Sequence, residues 1–252
     1  MKKFIVYLGI GLVALALIGY VTLQFFLGSI VKAGINKFGP TMTQSKVELG
    51  GANISPLSGV GTLSSLTVGN PAGWSEAPAF HLGKVHIDME PFSVFGDHIV
   101  INEILIEQPE FNYETKIVAS NIGDLLKNIE AAVGGNNKAA EPTAKDGKPI
   151  KMVIKKFTLQ NGSVRVAVSG AAAMSLPMPA INMTDIGTRE GGVTPAQVTF
   201  AVMRNVTATI VTASTQSLSK LGGTSGAAAA EGVKQVGDAI KGLFGGDKDK
   251  KK

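Results

Sequence analysis

The side chains able to do chemistry are few. The chain has three histidines, His81, His86 and His98, and no cysteine. His86 and Asp88 are two apart in an alternating stretch, so a strand would put both on one face, where they could share a metal ion. No third ligand follows at suitable spacing, and strand residues without a metal role explain the pair equally simply. Without cysteine, a disulfide framework and thiolate ligation are excluded. Gly59-Val60-Gly61 begins like a dinucleotide loop but lacks its third glycine and the strand-to-helix setting. No serine sits in a nucleophile elbow and no phosphate-binding lysine loop occurs. The expectation is a protein that is not an enzyme, with no cofactor and no metal.

The elements that would position a site begin with a membrane anchor. Phe4 to Leu27 carries no charge. As a helix it rises about 36 Å, enough to cross a hydrocarbon core of about 30 Å. Lys2 and Lys3 precede it, but the run exceeds a signal-peptide core and no small-residue cleavage site follows. An uncleaved anchor is expected, with the amino terminus in the cytoplasm and the bulk of the chain across the membrane.

The net charge of +5 is mild, and several lysines lie in the last six residues. Aromatic residues are sparse and do not interleave with a basic face, which argues against nucleic acid. Composition divides the chain into an anchor with a juxtamembrane helix (1–38), a β-rich body (39–133), a flexible linker or loop (134–149), a second β-segment plus helix completing the body (150–221), and an amphipathic helix with a basic tail (222–252).

Alternation predicts strands over 80–82, 85–89, 97–101, 104–106, 152–154, 157–159 and 164–168. Asn121 is read as an N-cap, followed by an apolar stripe of Ile122, Leu125, Leu126, Ile129 and Val133. Thr194-Pro195-Ala196-Gln197 reads as a capping box with proline at the first helical position. The residues after it are rich in β-branched side chains, but Val198, Val202, Val206 and Ile210 keep a helical spacing. Three segments, Leu66–Pro71, Ile104–Pro109 and Phe157–Gly162, share a strand running into a proline or glycine break, which suggests a repeat-built sheet.

Gly39-Pro40, Ile54-Ser55-Pro56-Leu57-Ser58-Gly59 and Leu66-Thr67-Val68-Gly69-Asn70-Pro71-Ala72-Gly73-Trp74 resemble the amino-terminal region of AsmA-like proteins. So do the ordered strands Val85–Asp88, Ile99–Ile101, Ile104–Ile106 and Pro109–Phe111, and the helix entry Ser120-Asn121-Ile122. Leu176-Pro177-Met178-Pro179, Thr184-Asp185-Ile186-Gly187 and Gly191–Ala196 resemble the ending of short members. The resemblance covers roughly residues 5–215. It implies a single-pass protein of the bacterial inner membrane, with its bulk in the periplasm. It also implies an apolar β-groove, related to chorein-type lipid bridges, that handles lipids or maintains the outer membrane and envelope. Membrane lipids are the implied partner, with envelope proteins or self-association as further candidates. A chain this short has room for one groove unit and would not bridge two membranes alone.

The expected fold is therefore α+β and β-dominated: an amino-terminal transmembrane helix, then a curled antiparallel sheet forming a groove, with a few short helices. Val100, Ile101, Ile104 and Leu105 are the groove candidates, because apolar residues fall on both faces of their strand. Strict alternation pairs Ile101 with Leu105 and Val100 with Ile104. Val233, Val236, Ile240, Leu243 and Phe244 fall on one helical face, expected to meet a membrane surface or to cover the groove. The competing expectation is a membrane-tethered scaffold with a closed core and no lipid cargo.

Overall fold

The computed structural model describes residues 2–116, 119–134, 142–143, 147–168, 173–220, 230–231, 233–235 and 237–238. Helix α1 (Lys2–Thr43) runs without a break from the uncharged run into the body. It is long and apolar enough to cross a membrane, and the body covers none of its most apolar stretch. Such a helix at the amino terminus suggests a membrane anchor.

Nine strands form one open, mixed sheet: β1 (Val47–Ile54), β2 (Val60–Gly69), β3 (Pro78–Met89), β4 (Ile99–Glu107), β5 (Glu110–Thr115), β6 (Met152–Gln160), β7 (Ser163–Val168), β8 (Met174–Pro177) and β9 (Ile181–Ile186). The expected all-antiparallel sheet is corrected here, since β4 pairs with β6, and β5 with β7, in parallel. Parallel neighbours need a crossover, and helix α2 (Asn121–Gly134) lies within it. Because β6 and β7 pair directly with β4 and β5, strands β6–β9 share one sheet with β1–β5.

β4 runs into β5 through Gln108-Pro109, with Gln108 at φ 50°, and β6 runs into β7 through Asn161-Gly162, with Asn161 at φ 57°. The ladder carries on across both kinks, since Gln108 N donates to Gln160 O and Ser163 N to Pro109 O. Two of the three similar segments therefore lie side by side in register, Ile104 against Phe157 and Ile106 against Leu159. The first, Leu66–Pro71, pairs instead with β3.

Helix α3 (Pro195–Lys220) starts at the expected capping box. Thr194 N donates to Gln197 Oε1 (2.9 Å), and Gln197 N to Thr194 Oγ1 (3.4 Å). Here the cap and the apolar spacing override β-branched propensity: Val206 and Ile210 are buried against the core. At α2 the cap is Ser120 rather than Asn121, for Ser120 Oγ accepts from Gly123 N. Asn121 is fully buried and serves as a cross-link instead. Its Nδ2 donates to Asn70 Oδ1 and Asn112 O, and its Oδ1 accepts from Glu114 N.

From Tyr20 onward, α1 lies along β1, whose other edge pairs with β2. Leu49 N donates to Asn36 Oδ1 (2.7 Å), Lys32 Nζ to Gly50 O (2.7 Å) and Gln24 Nε2 to Asn53 Oδ1 (2.6 Å). Gly28 permits the approach, since a Cβ there would overlap Ala52 O. The helix thus covers an edge strand that would otherwise offer unpaired backbone groups.

Candidate functional site

A cavity of about 470 Å³ lies between one face of the sheet and helices α1, α2 and α3. Its walls come from α1 (Val31, Ile35, Phe38, Met42), the sheet (Val47, Leu66, Val68, Phe80, Ile99, Met152), α2 (Leu125, Ile129) and α3 (Ala196, Thr199, Met203). Among the described residues, no charged side chain lines it. Its two hydroxyls are turned back on their own helices: Thr43 Oγ1 donates to Gly39 O (2.9 Å) and Thr199 Oγ1 to Pro195 O (2.8 Å). A guest would therefore find hydrocarbon and no available hydroxyl proton. The size falls in the range of small-molecule pockets, about 300–1,000 Å³. Covering such a wall with hydrocarbon gains about 25 cal/mol for each Å² withdrawn from water.

None of Val100, Ile101, Ile104 and Leu105 lines this cavity, although their neighbour Ile99 does. A bulge also changes which of them share a face. β3 pairs Asp88 with Glu103 but Met89 with Ile101, which leaves Asn102 as an extra residue. The parity of β4 changes there. Ile101 is buried in the core and Ile104 packs against it, while Val100 and Leu105 are half-buried outside that cluster. The pairs expected from alternation are thus regrouped, Ile101 with Ile104 and Val100 with Leu105. β6 has the same polar interruption, with Lys155 and Lys156 bonded to Glu90 and Glu103 (2.7 Å each).

Sequence reasoning missed the largest wall. Val31, Ile35, Phe38 and Met42 recur at four-, three- and four-residue steps, a core-facing helical stripe. Continuity with the uncharged run disguised it as juxtamembrane helix. Val233 is fully buried in the core and so faces the body rather than a bilayer. A Cβ on Gly237 would meet Val211 of α3. Val236, Ile240, Leu243 and Phe244 lie outside the described residues. His86 and Asp88 share β3, and among the described residues no metal-binding group of three His, Cys, Asp or Glu includes them. His81 Nδ1 pairs with Thr67 Oγ1 at 3.0 Å.

A second pocket, about 690 Å³, lies near the β2–β3 connection and has charged side chains in its lining. Glu114 there accepts from Asn70 Nδ2, Ser75 N and Ser75 Oγ. Lys116 Nζ donates to Gly73 O and sits 4.4 Å from the Trp74 ring centre. Trp74 Nε1 donates to Asp124 Oδ2 (3.0 Å). Glu114, Ser75, Lys116 and Trp74 are each bonded to protein partners, so this side of the pocket reads as a structural knot although the pocket is the larger of the two; Arg165 lines it as well. Burial pushes the phenol of nearby Tyr113 up, with the Ser120 and Thr115 side chains opposing. Compared with known proteins, the chain matches no protein-family model, no curated protein and no solved structure.

Proposed function

We propose that this is a membrane-anchored, non-catalytic lipid-handling protein of the AsmA-like kind. It would act from the bacterial inner membrane, with its body in the periplasm, in lipid handling or outer-membrane and envelope maintenance. One observation carries the reading: the apolar cavity takes a wall from the same helix that supplies the anchor. Val31 is four residues beyond Leu27 and directly precedes Lys32, the first charge after the apolar run, so an acyl chain leaving the bilayer has a short path to hydrocarbon walls. Among the described wall residues no side-chain hydroxyl is left to donate, which suits an acyl chain and leaves a head group outside.

The scaffold reading draws on a different observation. Much of the sheet face is already filled by protein, with Ile122, Ile154, Leu159 and Ile210 at 0–2% exposure. Purification of the full chain in mild detergent, with extraction and mass spectrometry of bound lipid, separates the two. The lipid-handling reading expects phospholipid at about one acyl chain or more per protein, in keeping with a single pocket. Lipid no higher than in a detergent-matched control would support the scaffold and end the lipid reading.

A further inference from the structure

Among the described residues outside α1, the most exposed large apolar side chains are Phe95 (86%), Phe92 (80%) and Leu57 (75%). They come from two connections, the β1–β2 turn and a 3-10 helix over Pro91–Phe95. The two connections touch. Met89 N donates to Gly59 O, and a Cβ on Gly59 would lie 3.1 Å from Pro91 Cδ. Residues 55–59 and 91–96 hold no charge. Of the acidic residues bounding them, Glu90 is paired with Lys155 and Asp97 is exposed. The result is one uncharged tip with two phenylalanines and a leucine turned outward. Soluble surfaces rarely group such side chains without a partner.

The position of α1 identifies the partner. Tyr20 Oη lies 3.2 Å from Ser55 Oγ at the start of the β1–β2 turn. Tyr20 is seven residues before Leu27, about 10 Å along the axis. When the run occupies hydrocarbon, the tip is carried to the depth of the interface, where aromatic side chains are favoured. Part of the backbone at the tip is already bonded: Gly59 N donates to Ser55 O, Ser93 N to Glu90 O and Gly96 N to Ser93 O. Ser93 Oγ also accepts from Val100 N. Insertion therefore strands fewer polar groups.

We infer that Leu57, Phe92 and Phe95 form a second membrane contact, inserted into the interface of the bilayer that α1 crosses. This rests on the anchor reading of α1. The contact fixes the body at the bilayer by two points rather than one, so the sheet cannot swing freely about the helix.

The chain lacks cysteine, so single-cysteine variants of the full chain can each carry one environment-sensitive fluorophore in phosphatidylethanolamine–phosphatidylglycerol vesicles. Phe95→Cys and Phe92→Cys report on the tip, Leu12→Cys on the anchor, and Glu76→Cys on the exposed β2–β3 connection. Nitroxide-bearing acyl chains should quench the Phe95, Phe92 and Leu12 positions about threefold or more relative to Glu76. Quenching at Leu12, with Phe95 and Phe92 equal to Glu76, overturns the inference and leaves the anchor intact. Quenching at the tip but not at Leu12 removes the anchor and with it the two-point contact inferred from it. A tip label that is shielded yet unquenched marks contact between copies and also overturns the inference.

Discussion

The two pockets of this protein spend their hydrogen bonds in opposite ways. Around Trp74, polar groups bond to protein partners, and Glu114, Asn70, Ser75 and Asn121 tie the β2–β3 connection to β5 and the start of α2. Around Met42 and Met203, the two hydroxyls turn back to their own helices and the walls are left as hydrocarbon. A pocket whose groups already satisfy each other gains little from a guest. A pocket with nothing but apolar wall gains from any hydrocarbon that replaces water. Size alone would favour the first pocket, whereas chemistry favours the second.

The comparison can be broken at the knot. Asn121→Ala would strand Asn112 O and Glu114 N inside the protein, and each buried unpaired group costs about 1–3 kcal/mol. A loss of about 3 kcal/mol or more is expected by denaturant unfolding, with lipid bound per folded protein unchanged. If lipid content fell in step with the knot rather than with folding, the pockets would not be independent. Next come two isoleucines in different surroundings. Ile210→Ala in the filled core should cost about 3 kcal/mol, within the usual range for such a truncation. Ile35→Ala in the cavity wall should cost less than about 1 kcal/mol, because that wall lacks partner atoms on one side. Equal costs would mean that the cavity is packed.

Smaller effects test the supports. Thr194→Ala removes half of the capping box and should lower stability by about 1 kcal/mol. Since Ala196 and Thr199 line the cavity from the same first turns, a change in lipid content is the more sensitive readout. Lys155→Ala breaks a half-exposed ion pair with Glu90 and should change stability by no more than about 1 kcal/mol.

Much of this was legible in the sequence where local signals agreed. The capping box at Thr194 and the stripe from Val198 to Ile210 located α3 despite its β-branched residues. The strand segments of β3, β4, β6 and β7 followed from alternation. Alternation failed at Asn102, where one extra residue reverses which side chains share a face; only the polar pair Asn102-Glu103 hinted at it. Parallel pairing of β4 with β6 depends on contacts roughly fifty residues apart and leaves no local mark. The similar segments Ile104–Pro109 and Phe157–Gly162 were its one sign. The cavity wall on α1 was hidden because its stripe, Val31 to Met42, begins where the membrane run ends.

Gly34 tests the central claim most directly. It lies on the cavity wall, and a Cβ there would meet nothing within 4 Å. Gly34→Phe should fill the cavity from a helical position, where replacing glycine is itself favourable by a few tenths of a kcal/mol or more. The measurement is bound phospholipid per protein by mass spectrometry, wild type against Gly34→Phe, with thermal unfolding of both. The account predicts lipid in the wild type, a loss of about fivefold or more in the variant, and an unfolding temperature no lower than the wild type's. Equal lipid in two equally folded proteins would contradict it.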